Sequence, residues 1–410
     1  MTDRRAFAAL APVYASVFLY AAGTNAFQVL IPVYMSRSAG LGPTALGLVV
    51  GVFGVASLAA RLPVGAAYSS ARGRLFLVAG GAIATAAFLL IPLVVQPVAL
   101  ALLMGLSGLG WSVATTAQLA LLVGRPPRGI STAAAMGWFA GATALGNTVA
   151  GALGGATADV IGVRPTFIVL AATPFLGTLL MVWRLGGHAA GGPATRPEKR
   201  VWRSLAGMPI AVWAGVLVMF FINGLNALTN TFHPVLALAS GLTLTQIGVL
   251  SSLRSWSSSS TRFGSGPVFS RFDPAGLTLP LVVLGAVATA FIPAVRTSFA
   301  LQIPLFLAVG VSRGLLRVTG TADAFESVGA DERRHGLTAA VLYGGLDLGK
   351  IVAPVVGGVV AGAFGISAMF VIVPLGFLAL YLALALPARR ALRVARAGAV
   401  GRASGLPGEP

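Results

Sequence analysis

Residues 40–69 read GLGPTALGLVVGVFGVASLAARLPVGAAYS, and residues 241–270 read GLTLTQIGVLSSLRSWSSSSTRFGSGPVFS. At an offset of 201 the two stretches agree at Gly40/Gly241, Leu41/Leu242, Thr44/Thr245, Gly47/Gly248, Ser57/Ser258, Arg61/Arg262, Gly65/Gly266 and Ser69/Ser270, eight of 30 positions. The same offset lays Asn25 on Asn226. An offset of 207 lays Gly129, Gly137, Gly151 and Gly155 on Gly336, Gly344, Gly358 and Gly362. A shared arginine and a shared asparagine at one register, in a chain this apolar, mark an internal repeat. Two parallel halves related by an axis along the membrane normal place a site at the midplane between them.

The 410 residues around this repeat are 57% hydrophobic and 9% charged, against about 25% charged in a soluble domain. So few charges cannot cover a water-facing surface, and the solvent is therefore mostly lipid. Disorder is excluded, because it needs few apolar residues and many charges. Twelve stretches approach the ~20 apolar residues that a membrane helix needs: 7–35, 44–69, 75–95, 97–123, 130–159, 164–184, 209–239, 245–269, 277–295, 298–327, 337–364 and 367–386. The first is too long for a signal-peptide core and carries Tyr20, Asn25 and Gln28, so it reads as a retained helix. The basic, Gly/Pro-rich run 186–207 reads as a linker between six-helix halves at 1–185 and 208–388, with a basic tail at 389–410. The fold class is an all-α membrane protein of twelve helices in two pseudo-symmetric halves.

The net charge of +18 comes from 28 cations spread singly or in pairs between apolar runs. That pattern is not a nucleic-acid-binding face. Alternate loops hold 18 Lys and Arg, whereas the opposite loops hold only Arg37, Arg164 and Arg296. The positive-inside rule then puts both termini in the cytoplasm, with the chain in the cell (inner) membrane. Cysteine is absent, which excludes disulfides, thiolate catalysis and cysteine metal sites. His188, His233 and His335 are scattered, no metal or cofactor site is indicated, and no GxxxxGK[ST] phosphate loop is present. An enzyme is not indicated.

The loop after span 2 carries Arg61, Gly65, Arg72, Gly73 and Arg74, with Ser69 between. Its second-half copy carries Arg262, Gly266, Ser270 and Arg271. Span 5 has Gly137-x8-Gly146 and ends in Gly154-Gly155. In these motifs the chain resembles the major facilitator superfamily over essentially its whole length. The family's loop has an Asp where this chain has Ser69. The resemblance implies a monomeric secondary transporter of a small-molecule substrate. It also implies gating or conformational roles for Arg61, Gly65, Arg72, Arg74, Arg262 and Gly266, and for the antiporter-like glycines Gly146, Gly154 and Gly155.

A charge at mid-bilayer costs roughly 2.5–3.5 kcal/mol on insertion scales, so each one is a functional candidate. Spans 8, 10 and 11 hold Arg254, Arg313, Arg317, Asp323, Glu326, Asp347 and Lys350. Asp347 and Lys350 are three apart and share a helix face, either as a neutralised pair or as part of a site. Asp347 is the candidate proton carrier, followed by Asp323 and Glu326, because Arg does not deprotonate. Substrate-binding candidates are Asn25, Gln28, Asn226, Asn230, Arg254, Arg313 and Lys350. Two transport readings stand: proton-coupled efflux of small amphiphilic compounds, and movement of an organic anion or similar metabolite. A third reading, of another class, is a non-transporting sensor or scaffold with this fold. The partners implied are the substrate, a proton or other coupling ion, and the lipid bilayer.

Overall fold

The computed structural model describes residues 2–67, 72–124, 132–184, 207–328 and 332–403. Within them lie twelve long helices: α1 (Thr2–Arg37), α2 (Pro43–Ala67), α3 (Gly73–Leu90), α4 (Pro97–Gly124), α5 (Thr132–Ile161), α6 (Val163–Arg184), α7 (Ile210–Ala239), α8 (Leu244–Phe263), α9 (Pro274–Ala290), α10 (Phe299–Ser327), α11 (Glu332–Phe364) and α12 (Ile366–Ala403). A short helical turn, Ser265–Phe269, follows α8. Most of the linker and the loop residue Ser69 fall outside the described residues. The basic tail begins as a continuation of α12, which runs on to Ala403 instead of ending near residue 386.

Among the described residues, nine helices are long and apolar enough to cross a membrane; α5, α8 and the shorter α9 are not among them. Packing supplies the reason for α5 and α8. They lie against each other where the two halves meet, so small and hydroxyl-bearing residues there face protein instead of lipid. Ser257 donates to the Leu307 carbonyl at 2.9 Å and Thr261 to the Ser257 carbonyl at 2.8 Å, which satisfies hydroxyls that lipid could not.

Within the first half α1 packs on α5 and α6, and α4 on α2 and α3. Within the second, α7 packs on α11 and α10, and α8 on α10. The halves meet along α5–α8, α2–α11 and α1–α7. Four turns, all at the end of the bundle opposite the termini, use glycine with positive φ: Gly40 at 67°, Gly241 at 94°, Gly162 at 88° and Gly365 at 84°. Gly40 and Gly241 are the repeat pair that opens the sequence stretches above. Gly162 and Gly365 play the same part after α5 and α11. Only glycine enters this left-handed region without strain.

At that distal end the repeat glycines bring the halves into backbone contact. A Cβ on Gly151 of α5 would stand 2.5 Å from the Gly248 carbonyl oxygen of α8. Its repeat mate Gly358 of α11 packs on α2, where a Cβ would stand 2.8 Å from the Pro43 carbonyl oxygen. Gly155 meets Leu244, and its mate Gly362 meets Thr44. Two symmetry-related crossings therefore close the distal end. Towards the terminal end, a Cβ at Gly137, Gly141, Gly266 or Gly344 would meet nothing within 4 Å. Among the described residues the seam is open there.

Candidate functional site at the interface of the halves

Two polar clusters occupy the seam between the halves. The first joins α1, α7 and α8. The Asn230 amide donates to Gln28 Oε1 at 3.3 Å, and Arg254 donates through Nη2 to Asn230 Oδ1. Arg254 is among the largest fully enclosed side chains, 2% exposed. Its guanidinium lies 5.8 Å from the Phe306 ring centre, a cation–π distance. Among the described residues its Nε and Nη1 have no hydrogen-bond partner, and Asn226 Oδ1 is likewise buried and unpaired. Among the described residues no carboxylate pairs with Arg254. A buried cation left with unused donors is costly.

The second cluster crosses from α2 to α11. Arg61 Nε lies 2.9 Å from Asp347 Oδ2, and Arg61 Nη2 donates to Oδ1 at 3.3 Å. Lys350 Nζ stands 3.6 Å from the same carboxylate and 5.9 Å from the Trp111 ring centre of α4. Asp347 is 1% exposed, whereas the Arg61 and Lys350 side chains keep 31% and 26%. Charge in the interior is thus not confined to α8, α10 and α11. Arg61, expected to act in the loop latch after span 2, sits within α2 and reaches the opposite half.

Between the clusters is a narrow cavity of about 60 Å³, lined by Phe27, Gln28, Ile31, Phe53, Met104, Asn226, Asn230 and Lys350 among others. That is room for water, against the several hundred Å³ of a typical ligand site. A larger crevice, about 430 Å³, lies at the distal end beside Arg37, Asp159 and Arg164, away from both clusters.

The sequence candidates divide on this frame. Gln28, Asn226, Asn230 and Lys350 line the cavity, and Arg254 stands one hydrogen bond behind it. Asn25 does not line it: its amide donates to the Asn147 carbonyl at 2.6 Å, tying α1 to α5. Asn223 does the same for α7 and α11 through the Leu346 carbonyl, also at 2.6 Å. Arg313 of α10 is within electrostatic reach of Arg254, Arg262 and Arg317 and of Lys350. Asp323 and Glu326 lie further along α10, and Glu326 is exposed. Gly146 packs against the Phe18 carbonyl and Gly154 against Ala26, both inside the first half, whereas Gly155 packs across the seam. Arg262 is bound to its own helix, with Nε to the Ser258 carbonyl at 3.1 Å. Gly65 lies in the last turn of α2, Arg72 and Arg74 are exposed at the start of α3, and a Cβ at Gly266 would meet nothing within 4 Å among the described residues.

A family model described as the Major Facilitator Superfamily matches residues 13–339. The chain belongs to this superfamily. Its members are transporters, so this is a multi-pass membrane protein of a transporter family. Among curated protein sequences none matches the chain. Among solved structures, a bacterial homologue of the human lysosomal transporter Spinster, in an inward-facing and unoccupied conformation, superposes with a TM-score of 0.75 at 14% identity, covering 94% of this chain and 97% of its own. The same homologue in an inward-facing and occupied conformation gives 0.72 at 14% identity, covering 94% and 97%. A mutant of the nucleoside transporter NupG gives 0.74 at 12% identity, covering 93% and 99%. At these identities the likeness establishes the fold.

Sequence reading missed a third contact between the halves. The Asp159 carboxylate at the end of α5 accepts from the Leu244 amide at 3.1 Å, the Thr245 amide at 2.7 Å and the Thr245 hydroxyl at 2.6 Å. It therefore caps the N-terminus of α8 from the other half. The only sequence signal was the Thr243-x-x-Gln246 capping box that starts α8, which points to the helix end but not to its outside partner.

Proposed function

We propose that the chain moves a small organic anion with an apolar portion across the bacterial inner membrane by alternating access, both termini being cytoplasmic. The conformation described here is then open towards the cytoplasm. The observation that carries the reading is Arg254: enclosed, bound by one hydrogen bond to Asn230, and left with two unused donors beside the cavity. A guanidinium with unused donors favours an anion such as a carboxylate. Gln28, Asn226 and Lys350 would hold the polar end of the substrate, and Phe27, Ile31, Phe53 and Met104 its apolar body. Asp347 is the candidate coupling group. Held between Arg61 and Lys350, it could take a proton whenever the halves separate and the cations withdraw. The working unit is a monomer.

A second reading, proton-coupled export of small amphiphilic compounds, is favoured by the apolar wall of the cavity. Transport into liposomes separates the two. Under the first, organic anions are carried and Arg254→Gln abolishes their uptake while Arg254→Lys keeps part of it. Carriage of neutral amphiphiles at undiminished rate by Arg254→Gln would sink the anion reading.

A further inference from the structure

Two of the seams between the halves, α2–α11 and α5–α8, are built to one plan, but among the described residues only one carries an ion pair. On the α2–α11 seam Gly47 packs on Gly358. Arg61 follows Gly47 by 14 residues and Asp347 precedes Gly358 by 11, and Arg61 meets Asp347 at 2.9 Å. On the α5–α8 seam Gly248 packs on Gly151. Arg262 follows Gly248 by the same 14 residues, and the position 11 before Gly151 is Ala140. The second seam thus keeps the cation and the glycine crossing but lacks the carboxylate. Ala140 is exposed, and neighbouring Gly137 and Gly141 have open space beside them.

Other cations lie on α10, the neighbour of α8 on this seam. The pair Gly310 and Gly314 lets α10 press onto α8: a Cβ at Gly314 would stand 2.5 Å from the Ser258 carbonyl oxygen. This brings Arg313 and Arg317, four apart on α10, alongside Arg262. Arg262 is within electrostatic reach of Arg317 and of the Tyr343 hydroxyl. Among the described residues neither Arg313 nor Arg317 has a side-chain hydrogen bond or ion pair. Like charges so close in a membrane interior repel, and an anion among them relieves the repulsion.

We propose that Arg262, Arg313 and Arg317 form a second anion site at the open end of the α5–α8 seam, where the carboxylate of an organic anion takes the place that Asp347 takes against Arg61. The site rests on the anion reading of Arg254 and adds a step to it. The anion is met first at this mouth and then handed on past Arg313 to Arg254, and while bound at the mouth it supplies the pairing that the chain itself lacks.

The test is titration of the purified full chain with succinate by isothermal calorimetry, against chloride at matched ionic strength. Wild type is expected to bind succinate. Arg262→Gln should weaken binding roughly tenfold or more, the loss of one charge-assisted hydrogen bond, and Arg262→Lys should restore part of it. Ala140→Asp, which places a carboxylate of the chain opposite Arg262, should also weaken binding by competing for the site. A variant that does not run as a single species in gel filtration is replaced by Arg317→Gln, with the same loss expected. Wild-type affinity in both Arg262→Gln and Ala140→Asp would overturn the proposal, and so would absence of any succinate binding by wild type. Arg254→Gln tells the two sites apart. If it stops transport but keeps binding that depends on Arg262, both sites stand. If it transports normally while Arg262→Gln loses binding, the central reading fails and the mouth site survives.

Discussion

Removal of the Asp159 carboxylate should open the distal gate. Asp159 belongs to the first half, and the amides it holds, Leu244 and Thr245, begin α8 in the second. The carboxylate makes three charge-assisted contacts of 2.6–3.1 Å, all of which break when the halves part distally. Hydrogen bonds to charged groups contribute about 1.5–3 kcal/mol each when sheltered, but Asp159 is exposed and water replaces much of that. An N-cap is worth ~0.5–2 kcal/mol, and the charge at the helix N-terminus adds ~0.3–1 kcal/mol. With Thr243 still capping Gln246 at 3.2 Å, we expect Asp159→Ala to cost the closed state about 1–2 kcal/mol. That is a shift of roughly 5–30-fold in the ratio of distally closed to distally open molecules. The chain has no cysteine, so spin labels at Ser38→Cys and Ala239→Cys, one on each half at the distal end, report the ratio directly by double electron–electron resonance. Asp159→Ala should move population to the longer distance, and Asp159→Asn, which keeps one acceptor, should fall between. Distance distributions in Asp159→Ala that match the parent within twofold would refute the latch, because no compensating carboxylate contacts α8 among the described residues.

Three further outcomes follow from the same contacts. Asp347→Asn leaves Arg61 and Lys350 facing each other without their shared carboxylate, and should lower thermal stability by about 2 kcal/mol, less than the ~3–5 kcal/mol of a fully enclosed pair because both cations reach water. It should also remove the dependence of transport on a proton gradient, read with a pH-sensitive dye in liposomes. Gly151→Val and Gly358→Val each force side-chain atoms into the backbone of the opposite half, and should shift the same spin-label distances towards the open state; equal distances in both would show that the crossings do not set the gate. Asn223→Ala removes the 2.6 Å bond between α7 and α11 and should cost ~1–3 kcal/mol in a melting experiment, with little effect on substrate affinity.

Symmetry was legible in the sequence only where it is enforced by exclusion. Where two helices cross with backbones touching, a Cβ cannot fit, so glycine recurs at Gly47, Gly151, Gly248 and Gly358 and the repeat shows through a divergent chain. Nothing similar fixes a side chain's partner. The sequence told that Asp347 is costly in a bilayer and shares a face with Lys350, but the second cation that meets it, Arg61, is 286 residues away and lies in a stretch that reads as a loop latch. Asn25 and Asn226 match in the repeat yet differ in use, because one extra turn along the helix decides whether an amide meets a backbone carbonyl or a cavity. Asp159 gave no signal at all, since a lone carboxylate at a helix end is ordinary until the opposing helix start is known. The asymmetry left after these corrections is the informative part. Similar glycine crossings hold two seams, one locked by an ion pair of the chain itself and the other lined by arginines that have no carboxylate partner among the described residues. A carrier built from a repeat must break its symmetry to favour a ligand at one place, and the proposed mouth site puts that break where Arg262 faces Ala140 in the repeat register instead of a carboxylate.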